Sequence, residues 1–310
     1  MRWANPYPAS ASDLSSGRNL IYPIPAALLV SPLTLLSPAW AAGADVALLL
    51  ALLGATLWVL DVRDWRVYGV VALWAPAFAA LQTGNLTIVL AFLVALAWRW
   101  RDRVWAPGLA VGAAIALKLF LWPLLVWLLA IRKGRAAAGG AAVGIAGLLL
   151  VLPFVSAGDY LRLLNNLRNV FGPESYNVVG LLTLSHSTSF HVAVAVANCI
   201  GIAVLALAYV RRSLALALVA SLVLSPIVWT HYFVLLAVPL AIRWPRLSPA
   251  WFLPVAMVVC PGTGSQVRLW HVLVGLGVLV VVTVLVERAP GRPDTSPGRR
   301  RLETRGAPTG

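Results

Sequence analysis

Long apolar runs, interrupted by short polar or basic stretches, set the pattern of the chain. Between Arg66 and Arg99 two apolar arms are joined by Gln82-Thr83-Gly84-Asn85. Between Arg103 and Arg132 runs WAPGLAVGAAIALKLFLWPLLVWLLAI, with Lys118 near its midpoint. Between Arg212 and Arg243 lies LSPIVWTHYFVLLAVPLAI, with Ser225 to His231 at the middle of the apolar stretch. A run of about 29 residues with basic residues at both ends is awkward for one span, which needs about 20. It suits two short helices that meet through non-helical backbone buried in protein. Runs such as AAVGIAGLLLVLPFV do not alternate, so a β-barrel is excluded. The pattern predicts an all-α, polytopic transmembrane helical bundle of about 9–12 membrane segments, several of them short or re-entrant.

The remaining runs complete the topology. After Arg135 the run to Val155 is expected to cross outward and deliver a long polar segment, SAGDYLRLLNNLRNVFGPESYNVVGLLTLSHSTSF, to the outer side. His191 to Val210 returns, Trp251 to Cys260 goes out, PGTGSQVR turns, and Leu269 to Val286 comes back. The short run Pro23 to Leu36 reads as a shallow or re-entrant helix. Three regions follow: an outer loop over 1–22, a transmembrane domain over 23–286, and a basic cytoplasmic tail over 287–310. The tail is rich in Pro, Gly and Arg and is expected to be disordered.

Composition agrees with this pattern. Of 310 residues 61% are hydrophobic and only 11% charged, where a soluble domain carries roughly 25% charged residues. The net charge of +14 changes the picture less than its size suggests. About 18 of the 24 basic residues fall in clusters between apolar runs or in the tail, as cytoplasmic loops require. A nucleic-acid partner is therefore excluded, and the expected surroundings are membrane lipids. Cys199 and Cys260 lie in apolar runs without metal-ligand spacing. No phosphate loop, dinucleotide fingerprint, HExxH or CxxC is present, so neither metal nor cofactor is expected.

With the basic loop clusters pinned to one side, the polar interruptions gather on the other: Tyr22 to Pro25, Gln82 to Asn85, Lys118, Ser175-Tyr176-Asn177 and Ser225 to His231. Helix-breaking backbone and polar side chains at one depth describe a cavity. Lys118 is the sharpest signal, because an ammonium at membrane depth costs about 2.5–3.5 kcal/mol on insertion scales and wants an anionic partner. The alternative is a lysine whose stem carries its charge to the interface. His231 offers a donor to a phosphate oxygen, or is a satisfied structural histidine. Trp229, with Tyr232, offers a stacking face for a sugar or is an interfacial aromatic. Gln82 and Asn85 read equally as caps of their two arms, with Gly84 supplying the turn. Asn177 and Tyr176 fit an ordered loop, and Tyr22, Pro23 and Pro25 fit the start of a helix. Asp13, Asp159 and Glu174 are the only carboxylates this topology places outside, each read as a solvated loop charge.

In order, NPY, YPIPAALLVSPLTLLSP, QTGN, GLAVGAAIALKLFLWPLLVWLLAIRKGR, ESYNVVGL and LSPIVWTHYFVLLAVPL resemble glycosyltransferase family 87, from Asn5 to about Ile242. That family consists of membrane mannosyltransferases of the C-type glycosyltransferase fold. Its pattern reads roughly YPP, GQxN, a lysine followed by a proline, NQS and SPxSWxHH. SPxxWxH at Ser225 to His231 is the strongest match.

The resemblance implies a polyprenyl-phosphate-linked sugar donor, a lipid or glycan acceptor, and an active side outside the plasma membrane of a bacterium. It implies Lys118 and His231 on the donor phosphate, with Gln82, Asn85, Asn177, Trp229 and Tyr22 lining the site. The departures are YPIP for YPP, QTGN for GQxN, SYN for NQS and Val228 for a serine. The family's presumed catalytic aspartate lies upstream of the NPY-like element, so a start placed too late is expected rather than a degenerate copy. The catalytic residue is left unassigned, and the chain as written is expected to transfer sugar poorly. The rival functions are a transporter or flippase for a lipid-linked glycan, against which no clear internal repeat counts, and a catalytically inactive relative.

Overall fold

The computed structural model describes residues 22–150, 152–153, 156–262 and 266–289. The expected outer loop before Tyr22, with Asn5-Pro6-Tyr7 and Asp13, and the tail from 290 onward lie outside the described residues. Every regular element among the described residues is helical.

Helix α1 (Ile24–Val30) follows Pro23, carries Pro25 in its first turn, and tightens into a 3₁₀ segment, Ser31–Leu35. Helix α2 (Pro38–Val59) buries Leu49, Leu53, Thr56 and Leu57 along one stripe and leaves the rest of its length largely exposed. Asp64 caps α3 (Trp65–Ala72) by accepting from Arg66 N.

The three long apolar stretches between basic clusters all break, as their lengths demand. Helix α4 (Ala75–Gln82) and helix α5 (Thr87–Arg99) are bent by 119° at the Thr83–Leu86 turn. Gly84 takes φ +58° there, a region that disfavours any side chain. Asn85 Oδ1 then accepts from Thr87 N at 3.1 Å and Thr87 Oγ1 at 2.6 Å. Helix α6 (Ala106–Leu117) ends at Lys118, whose backbone is extended at φ −160° and ψ 108°. A 3₁₀ turn, Leu119–Leu121, leads into α7 (Pro123–Ala130), where the proline sits at the first position and needs no donor. Helix α12 (Leu214–Leu224) stops before Pro226, and the chain resumes as a 3₁₀ helix over Thr230–Leu236 and as α13 (Ala237–Arg243).

Helix α8 (Gly134–Leu149) lies along α6 on a seam of small residues. A Cβ on Gly112 would come 2.5 Å from Gly140 O and one on Gly140 2.7 Å from Gly108 O, so backbone touches backbone. Without a hydrophobic drive between helices in lipid, such close approach is how they associate. The polar segment after α8 contains α9 (Ala157–Phe171), capped by Ser156, and α10 (Val178–Leu184), capped by Asn177. Helix α11 (Phe190–Arg211) follows; a 3₁₀ helix over Pro249–Val259 and α14 (Leu269–Arg288) complete the described fold.

Among the described residues three helices, α2, α11 and α14, are long and apolar enough to cross a membrane, and the bent α4–α5 pair would be a fourth. The other apolar helices are shorter, which is the broken-segment architecture expected from the sequence. The basic loops meet at one end of the bundle. Arg99 approaches Asp61 at 3.5 Å, Asp64 Oδ2 accepts from Leu247 N at 3.0 Å, and Lys133 Nζ donates to Asp102 O at 2.9 Å. Nearby, Trp74 packs on Trp251, whose Nε1 donates to Trp244 O.

Candidate functional site

The breaks in the three hairpins converge. Tyr22, ahead of α1, receives a hydrogen bond on its hydroxyl from Asn85 Nδ2 at 2.8 Å. The Tyr22 ring lies 5.3 Å from Lys118 Nζ, which also sits 3.9 Å from the Tyr232 ring centroid and 5.9 Å from that of Phe120. The lysine residue is half-buried, yet its Nζ is enclosed and has no hydrogen-bond partner among the described residues. Three aromatic faces hold the cation by their quadrupoles while leaving its three N–H donors free. It does not snorkel.

His231 continues the cluster. Its ring lies 5.0 Å from that of Tyr232 and 5.6 Å from that of Trp229, edge-on to the latter. Both ring nitrogens are buried without a partner among the described residues. Polar atoms in that condition cost free energy unless something meets them. Trp229 is half-buried and meets Phe171 of α9 edge to face at 5.5 Å, which ties the α9 segment to the cluster.

The two asparagines do a different job. Both side-chain polar atoms of Asn85 are engaged, Nδ2 with Tyr22 and Oδ1 with Thr87. Asn177 is buried, accepts from Val179 N and Gly180 N on Oδ1, and donates from Nδ2 to Ser225 O. Beside it, Tyr176 N donates to Val228 O at 2.8 Å, and Ser175 Oγ accepts from Val228 N at 2.7 Å. Tyr176 OH and Thr230 Oγ1 both donate to Pro261 O. The loop over Ser175–Asn177 therefore clamps the backbone that carries Trp229 and His231.

Gln82 is exposed and lines a cavity of about 350 Å³ together with Thr230 and Cys260. Leu73, Phe78 and Val258 form its apolar wall. Thus Tyr22, Asn85, Lys118, His231 and Trp229 form one contiguous cluster, with Gln82 on the neighbouring cleft and Asn177 in its scaffold. Asp45 was missed by the sequence reading. Its Oδ2 lies so close to the Gly84 turn that a Cβ on that glycine would be 2.7 Å away. The signal was available in the four-residue spacing of Asp45, Leu49, Leu53 and Leu57. Among the described residues no group of three His, Cys, Asp or Glu could hold a metal ion.

A family model described as Glycosyltransferase family 87 matches residues 20–239. No curated protein and no solved structure matches the chain.

Proposed function

Because the chain belongs to glycosyltransferase family 87, we propose that it moves a mannose from polyprenyl phosphate mannose to a lipid-linked or glycan acceptor. The transferase body is residues 23–286, set in a bacterial plasma membrane with its working face outside. The observation that supports this most is the enclosed Lys118 Nζ beside His231, both without a hydrogen-bond partner among the described residues. A sugar leaving phosphate develops charge as the glycosidic bond breaks, and donors fixed in a low-dielectric site stabilise that charge strongly. Lys118 supplies a cation and His231 an N–H for the phosphate oxygens.

The half-buried Trp229 gives the sugar a stacking face, and Tyr22 and Asn85 border the same space. The cleft beside α4, lined by the apolar Leu73, Phe78 and Val258 together with Gln82 and Thr230, suits a prenyl chain and its headgroup. Asn177 acts through the clamp on Ser225. The test is transfer of radiolabelled mannose from polyprenyl phosphate mannose by the purified protein in lipid. Lys118→Ala and His231→Ala are expected to slow transfer by at least about 100-fold. Unchanged rates in both variants would remove the phosphate role from these residues.

A further inference from the structure

We propose that a second cavity, between the ends of α11 and α14, holds the phosphate headgroup of an anionic phospholipid. The cavity encloses about 400 Å³. Leu207 and Arg211 of α11 line it together with Val284, Glu287 and Arg288 of α14, and Leu216 of α12 completes the wall. Both α11 and α14 pack on α12. This place is separate from the polar cluster around Lys118. Helix α12 begins beside the cavity and ends at Ser225, whose carbonyl takes the Asn177 amide. Its 11 residues span about 16 Å, so the two sites stand at opposite ends of one helix.

Charge selects the ligand. Helices α11 and α14 each close on an arginine. A cation in the last turn complements the helix dipole, and basic residues collect at cytoplasmic ends in any case. Those rules account for surface arginines, but not for two from separate helices lining one cavity. Neither guanidinium has an ion pair or hydrogen bond among the described residues. Glu287, the carboxylate in the lining, accepts from Ser213 Oγ, and that oxygen accepts in turn from Leu216 N. The acid is thereby tied to the start of α12. Two guanidinium groups against one carboxylate leave a single positive charge in excess, which one phosphodiester matches. The planar fork of arginine suits phosphate oxygens in pairs.

The remaining wall selects a lipid over a free phosphate. Helices α11 and α14 are both long and apolar enough to cross a membrane. Leu207 and Val284 are exposed in the lining, and Val280, one turn further from Arg288, is exposed as well. Arginines above apolar side chains, in a recess between membrane helices, fit a headgroup with its acyl chains below. A free phosphate gains nothing from those apolar groups. Bound there, the lipid bridges α11 and α14 and steadies the end of the bundle remote from Lys118.

The full chain in dodecyl maltoside is titrated with phosphatidylglycerol, phosphatidylethanolamine or phosphatidylcholine of the same acyl chains. Bound lipid is counted by native mass spectrometry, and thermal unfolding is followed in parallel. Phosphatidylglycerol should bind at least about tenfold more tightly than either neutral lipid and raise Tm, whereas glycerol phosphate should leave Tm unchanged. Arg211→Gln combined with Arg288→Gln should weaken phosphatidylglycerol binding by about 10- to 100-fold. Arg135→Gln combined with Arg246→Gln, equal in charge but outside the cavity, should match the parent. Val284→Trp keeps both arginines, fills the cavity and should expel the lipid. Equal losses in the two double variants, equal affinity for the neutral lipids, a Tm rise with glycerol phosphate, or full affinity in Val284→Trp overturns the proposal.

Discussion

Lys118 Nζ stands 3.9 Å from the ring centroid of Tyr232, the residue that follows His231. A cation from the α6–α7 break is thereby held against the α12–α13 break by an aromatic face and by no carboxylate among the described residues. That pairing separates the two things a buried lysine can do, neutralise a partner or wait for one.

Lys118→Met should therefore raise stability while lowering function. The substitution removes an ammonium whose burial is unfavourable and keeps the stem's packing. Thermal unfolding in detergent should shift upward. Affinity for polyprenyl phosphate should fall by about 10- to 100-fold, the worth of one charged hydrogen bond. A fall in both quantities would mean that Lys118 holds the fold and not the ligand.

Asn177→Ala should loosen the clamp. The variant uncaps α10 and strips a buried donor from Ser225 O, which together cost about 1–3 kcal/mol. Asn177→Asp keeps the cap but sets a carboxylate against that carbonyl, so it should be no better. Urea or thermal melts of the three proteins rank them.

The seam between α6 and α8 predicts a sharp size limit. Gly112→Val drives a side chain into Gly140 O and should destabilise by about 1–3 kcal/mol or more. Gly134→Ala, with nothing within 4 Å of its added methyl, should be neutral or stabilised by a few tenths of a kcal/mol. Monodispersity after heating is a sufficient readout.

Asp64 gives a pH signature at the basic end. The Arg66 guanidinium, then the Leu247 N–H, holds its carboxyl well below the usual carboxylate range. Its side chain is 10% exposed and bonds three nitrogens of Arg66 as well as Leu247 N. A depressed pKa contributes stability above the unfolded value, near 3.9, and loses it as pH falls toward the folded one. The parent should thus melt above Asp64→Asn at pH 7, and the gap should narrow as pH drops below about 4. A gap that widens in acid contradicts this linkage.

Much of this arrangement was legible in the chain because its breaks are local events. Gly84 needs a left-handed turn, Lys118 interrupts hydrocarbon, and Pro226 ends a helix, so three hairpins could be placed from residues within each. Their convergence also followed, since basic clusters fix the opposite end. The facing of the helices was not legible: they are apolar around most of their circumference, so periodicity selects no stripe. For that reason nothing in the sequence singled out Asp45, whose direction is fixed by its contact with the Gly84 turn. The tight coiling of Thr230–Leu236 and Pro249–Val259 also escaped notice. The amides of Asn85 and Asn177 are spent on Thr87, Tyr22 and backbone, in keeping with the capping and ordered-loop readings of these two residues.

The missing methyl groups of Gly108, Gly112 and Gly140 have a consequence for how damage to this protein will be distributed. Helix α6 ends directly at Lys118, so the register of that helix against α8 sets where the charge stands. A genetic screen for lost sugar transfer should collect hits along this seam as readily as among the polar residues. Those hits would leave every chemical group intact and merely put one of them in the wrong place.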